Sequence, residues 1–208
     1  MSTEEVKTEV VEQAATKKKA AKKKIAKSSD PNLPPKITRS LKKKIDAANL
    51  NVEAIVRHIQ NVQDNCFILG KKLIDRGEIE LGVGLIRNGF MHDLSKFSGV
   101  EWDNMTPLTT IEERNEKVKL KIAIQHHSKT NSHHPEYWNG IKNMPDIAIL
   151  EMVCDWKARS EEFGTSLRDW IEESALKRWE FTKEDFIYKK IIQYVDMLCE
   201  KPFSAIKN

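Results

Sequence analysis

Val52, Ile55, Val56, Ile59, Val62, Cys66, Leu69 and Leu73 follow one another at steps of three and four residues. That spacing places apolar side chains on one stripe of an α-helix, and a strand with its period of two cannot accommodate it. Asn51 is the natural cap of this helix and Gly77 its natural end. Similar patterns predict helices over residues 78–93, 111–127, 145–163 with Pro145 in the first turn, 166–177 and 182–199. No stretch alternates apolar and polar residues long enough to require a strand, and no repeat of 20 to 50 residues is present. The expected fold class is therefore all-α, a single helical bundle over residues 37–208.

Residues 1–36 are of another kind. Lys17 to Lys19 and Lys22 to Lys24 precede a linker containing Ser28, Ser29, Pro31, Pro34 and Pro35. The overall charge of +4 conceals a division, because residues 1–44 carry +8 and the remainder −4. This composition predicts a disordered basic tail, suited to weak, nonspecific contact with nucleic-acid phosphates but without interleaved aromatics to read bases. The sequence shows no apolar run of about 18 residues and no early hydrophobic stretch, so a cytoplasmic protein without a membrane span is expected. Cys66, Cys154 and Cys199 stand far apart within apolar helical patterns, and they are expected to be small buried hydrophobes rather than a disulfide or zinc-ribbon framework.

Chemistry concentrates in the histidines, all six of which fall between His58 and His134, four of them as the pairs His126–His127 and His133–His134. With Asp93 beside His92, and Asp155 further along, they form an imidazole and carboxylate set suited to Mn, Fe, Co, Ni or Zn, in which Asp93 can bridge two ions. Each residue also has an ordinary structural explanation. His58 adjoins an apolar helix face, and Asp155 lies four residues from both Glu151 and Arg159, the spacing of a helical ion pair. His92 and Asp93 can end a helix, and Pro135 after His133 and His134 can begin one. All these explanations must hold together for the cluster to be without function.

The order of an isolated His, a His-Asp pair, further histidines and a distant helical Asp resembles the HD superfamily of metal-dependent hydrolases over about residues 51–163. The segments HDLSKF, NSHHPEYW and EMVCDWKARS look more narrowly like a small HD-related group of phage and bacterial proteins without an assigned function. The resemblance implies an HD-like helical bundle in the cytoplasm, or the host cytoplasm if viral. It implies that His58, His92, Asp93 and Asp155 hold a first metal. One of His126 or His127 and one of His133 or His134 are then candidates for a second, with Asp93 as the bridge. Lys96 matches the lysine of the phosphodiesterase branch, with Ser95 in place of its usual glycine, where nucleotidases carry a glutamate.

What the resemblance implies about activity is hydrolysis of a phosphoester by metal-activated water, with Lys96 and Asp93 in catalytic roles and a nucleotide or nucleic acid as substrate. Arg87 and Arg159 are candidates to bind phosphate, and Tyr137 and Trp138 to stack on a base, while Trp138 and Trp156 equally suit the core. Two other expectations stand beside it. The same residue order resembles HD-fold di-iron oxygenases, and the chain can alternatively be a non-catalytic, metal-stabilised binding module with a nucleic-acid-binding tail. The apolar residues after Ser166, including Trp170, Trp179 and Phe181, either close the bundle over the site or form a face between copies.

Overall fold

The computed structural model describes residues 39–105 and 113–199; the lysine-rich tail and linker lie outside them. Every regular element among the described residues is helical. The long α1 (Arg39–Asp75) is followed by α2 (Ile79–Met91), a 3₁₀ turn (Leu94–Phe97), α3 (Gly99–Met105) and α4 (Glu113–Thr130). Two further 3₁₀ turns (Pro135–Trp138 and Ile141–Asn143) lead to α5 (Asp146–Phe163). Then come α6 (Leu167–Trp170), a π-turn (Ile171–Ala175), α7 (Leu176–Arg178) and α8 (Phe186–Cys199).

The all-α expectation is met, with three local corrections. Asn51 does not cap α1, which begins twelve residues earlier at Arg39 and runs through it. An interior Asn costs only a few tenths of a kcal/mol relative to its neighbours, roughly what helix propensities assign it, and cannot stop a helix whose flanks continue. Pro145 precedes the first turn of α5 as its cap residue instead of lying within it. Cys66 and Cys154 are buried as expected, but Cys199, the last residue of α8, is exposed.

At the centre lies α5, buried on almost every face, with Ala148 to Trp156 continuously inside. It packs against α2 and α8, and Asn65 of α1 donates to the Cys154 carbonyl at 3.3 Å. Phe181, Ile191 and Val195 join this core, so the C-terminal helices serve the chain's own interior. Helix α5 ends at Gly164, whose positive φ of 64° lets the Gly164 and Thr165 amides return to the Glu161 and Ser160 carbonyls.

Helices α1 and α2 meet through glycine. A Cβ on Gly82 would stand 2.5 Å from the Gly70 carbonyl oxygen, and one on Gly89 would stand 2.7 Å from Cys66 Cβ. Such contacts exclude any side chain at these two positions, so the helices approach backbone to backbone. His58 lies on α1, and His92 caps the end of α2.

A buried histidine and carboxylate centre

Asp93 occupies the turn that ends α2, in the left-handed region at φ 57° and ψ 16°. Few non-glycine residues adopt this conformation, with Asp and Asn among the more tolerant, and it tends to persist where surrounding contacts enforce it. Here it directs a buried carboxylate into the interior, where its two oxygens face different groups. Oδ2 lies 3.7 Å from His58 Nε2 and 3.4 Å from His92 Nε2. Oδ1 lies 3.1 Å from His127 Nε2 and 3.5 Å from His133 Nε2. Asp155 completes the first group, its Oδ1 3.0 Å from His58 Nε2. His134 completes the second, its ring centroid 4.7 Å from that of His127 and 4.3 Å from that of His133.

The ligating atoms of His58, His92 and Asp155 lie within 4.8 Å of one another, as do those of His127, His133 and His134. Around a tetrahedral ion with bonds of about 2.1 Å, donor atoms stand roughly 3.4 Å apart, close to the spacings around Asp93. His92 Nε2, Asp93 Oδ1, His133 Nε2 and His134 Nε2 are buried without a hydrogen-bond partner. Buried polar atoms are seldom left so, and four in one pocket, all with lone pairs directed inward, are the donor pattern of a cation site.

Carboxylates hold the outer nitrogens. His58 Nδ1 donates to Glu162 at 2.9 Å. His92 Nδ1 and His133 Nδ1 both approach Glu151 Oε1, at 3.1 and 3.3 Å. His127 Nδ1 meets Glu101 at 2.7 Å. A carboxylate only accepts, so each Nδ1 carries the proton, and with an ion bound each Nε2 would turn its lone pair to the interior, as in carboxylate–histidine–metal triads. Glu151, Asp155 and Glu162 follow at steps of four and seven along α5, which puts all three on one stripe of the central helix.

Electrostatically the buried groups of the centre are tightly interdependent. Burial works to raise the Asp93 and Asp155 carboxyls, but the surrounding imidazoles, with Lys96 beside Asp93, hold both well below the ordinary carboxylate range. Burial likewise opposes ionisation of Glu151, and its hydrogen bonds from His133 and His92 outweigh it, bringing the group down to about 2. His134 is pushed down to about 3 by burial and by its neighbours His133 and His127, so its imidazole is neutral. Lys96 is buried and its Nζ donates to Asp93 Oδ2, so it is no surface lysine.

The structure thus brings together His58, His92, Asp93, His127, His133, His134 and Asp155. It separates the two pairs differently. His126 meets the other oxygen of the buried Glu101 at 3.1 Å and is half-exposed, whereas both His133 and His134 face the centre. Asp155 pairs with His58, and Arg159 instead meets Glu162 at 3.1 Å. Beyond His134 and Asp155 the centre opens into a cavity of about 270 Å³, which Arg159 also lines. The other three sequence candidates for substrate contact are not part of that wall: Arg87 and Tyr137 are exposed, and Trp138 packs against the core with its indole donating to the Ser132 carbonyl at 2.7 Å. Glu101, Glu151 and Glu162 were not singled out as site residues by the sequence pattern; the four-and-seven spacing of the latter two with Asp155 was the available signal.

Fold and site define a class: an all-α domain with a buried histidine and carboxylate centre able to hold metal. The chain belongs to DUF5662, a family of unknown function, whose profile matches residues 47–197. No curated protein and no solved structure matches it.

Proposed function

We propose that this protein is an HD-type, metal-dependent phosphohydrolase that cleaves a phosphoester of nucleotide character. The observation that carries this reading is the division of Asp93, one oxygen toward His58, His92 and Asp155 and the other toward His127, His133 and His134. His58, His92, Asp93 and Asp155 would hold a first ion, and Asp93, His127, His133 and His134 a second. Divalent ions held by such ligands supply Lewis acidity toward a phosphoryl oxygen and lower the pKa of water toward neutrality.

The chain's own residues account for the remainder. In hydrolysis the water oxygen bonds to phosphorus, the ester P–O bond breaks, and the departing alkoxide takes up a proton. Lys96, whose Nζ donates to Asp93 Oδ2 at the centre, would offset the charge that grows on the phosphoryl oxygens. His134, as a neutral imidazole, would offer its lone pair as a donor to the second ion. Glu101, Glu151 and Glu162 fix the imidazole orientations so that no reorganisation is needed as charge develops.

The di-iron oxygenase is the second reading, favoured by the same bridging carboxylate and nitrogen-rich donor set. Both readings are tested by metal analysis of the full chain and of Asp93→Asn, a substitution that tolerates the left-handed backbone, joined to a phosphatase and phosphodiesterase screen with Mn, Co, Ni, Zn and Mg. Near-stoichiometric metal lost with Asp93, and metal-dependent ester cleavage, are expected. Two irons with O₂ uptake and no hydrolysis would favour the oxygenase, and no specific metal in either protein would refute both.

A further inference from the structure

The cavity beside the centre has an aromatic wall that the catalytic reading does not use. Trp156, on α5, is 6% exposed and belongs to the core. Trp179 stacks on it at 5.2 Å with the rings 14° from parallel, and Trp170 meets it edge-on at 4.9 Å. These outer two are only half-buried, and both line the cavity. Their meeting there has a backbone cause. Residues nine apart lie about 180° from one another on a regular α-helix, which would send Trp170 and Trp179 to opposite sides. The π-turn at Ile171–Ala175 and the end of α7 at Arg178 break that register, and both indoles reach one cavity.

The wall is held in place before any ligand arrives. The Trp179 indole donates to Glu136 at 3.2 Å, and the Arg178 guanidinium carbon lies 4.5 Å from the centroid of its ring while pairing with Glu136 at 3.5 Å. Phe163, the last residue of α5 and 74% exposed, forms part of the rim. The two arginines of this cavity each face a glutamate, Arg178 with Glu136 and Arg159 with Glu162, so its charge is largely balanced. An aromatic wall of balanced charge favours a flat ring over a second phosphate. A volume of about 270 Å³ lies at the low end of small-molecule sites and admits one ring system, not a duplex.

The geometry points to a specificity pocket, formed by Trp170, Trp179, Phe163 and Arg178, for the single aromatic ring system of a small phosphoester whose phosphate sits at His134 and Asp155. The inference rests on the hydrolytic reading for the position of the phosphate, and it narrows the substrate to a small ring-bearing phosphoester such as a mononucleotide or an aryl phosphate. Three of the chain's five tryptophans surround the cavity, so intrinsic fluorescence reports its occupation without turnover.

The test titrates the metal-loaded full chain with phenyl phosphate, propyl phosphate and inorganic phosphate, and then measures their hydrolysis beside that of a nucleoside monophosphate. Stacking predicts that phenyl phosphate quenches the fluorescence and binds on the order of tenfold more tightly than inorganic phosphate. Phe163→Ala and Arg178→Gln, both at exposed positions, are expected to weaken phenyl phosphate severalfold and to leave inorganic phosphate unchanged. Equal affinity for the three probes, or propyl phosphate cleaved as readily as the ring-bearing esters, would overturn the pocket while leaving the hydrolase intact. Ring-dependent binding without hydrolysis of any ester would support the pocket and count against the hydrolytic reading.

Discussion

Glu151 touches both halves of the centre, because its Oε1 takes hydrogen bonds from His92 in the first group and His133 in the second. Replacing it with Gln keeps the shape and removes the charge. Losing a carboxylate behind a metal-bound histidine typically lowers metal affinity about 10- to 100-fold, or roughly 1.4 to 2.7 kcal/mol. Glu151→Gln is therefore expected to weaken both ions by that amount, since each loses support at one histidine. Glu162→Gln acts on His58 alone and should weaken the first site only, while Glu101→Gln acts on His127 and should weaken the second only. The assay is a competitive chelator titration that resolves two affinities, with stoichiometry from elemental analysis and a thermal melt to establish that each variant is folded. If Glu151→Gln leaves both affinities within about threefold of wild type, or Glu162→Gln weakens both sites equally, the outer carboxylates do not support two separable sites and the argument fails.

Three further outcomes are expected. Gly82→Ala gains up to about 1 kcal/mol of helix propensity but drives a methyl group into the Gly70 carbonyl, and overpacking of about 1 to 3 kcal/mol wins; Gly84→Ala, whose Cβ would meet only Ile147 at an ordinary 3.4 Å, should stabilise, and urea denaturation of the pair checks the contrast. In the metal-free protein His134 binds its proton near pH 3 when folded and 6.5 when unfolded, and Glu151 near 2 against 4.5. The unfolded chain then holds more protons across these windows, so stability falls as pH drops below about 6.5, and a urea midpoint unchanged between pH 7 and 5 would contradict this. Lys96→Met should lower kcat by about 10²-fold while metal stoichiometry is retained, as expected for loss of a charge that acts on the phosphoryl group; an unchanged kcat would remove Lys96 from that role.

The helices and the donor inventory were readable in the sequence because both rest on spacing: three-and-four steps for α1, and six histidines confined to one stretch. The choice between His126 and His127 was hidden by α4, where Val118, Leu120, Ile122 and Ile124 are all exposed and Ala123 is the buried position among the described side chains. Only that small residue, four before His127, marks the inward face, and hydrophobicity points elsewhere. Glu101 escaped because α3 spans seven residues, too few for a period to show. The aromatic cavity escaped because a π-turn, which no periodic pattern announces, sets where Trp170 and Trp179 point.

The glycine crossing of α1 and α2 gives the two halves of the centre different mechanical characters. His58 on α1 and His92 at the end of α2 belong to helices whose separation is set by contact between main chains. His133 and His134 sit instead on a short turn, anchored by the His134 amide on the Asn131 carbonyl and by Ser95 on the Asn131 side chain. One half is held by packed main chains and the other by a turn. Under the proposed two-ion reading, ions of different radius would be accommodated unequally, the first position selecting by size and the second adapting to what the first admits.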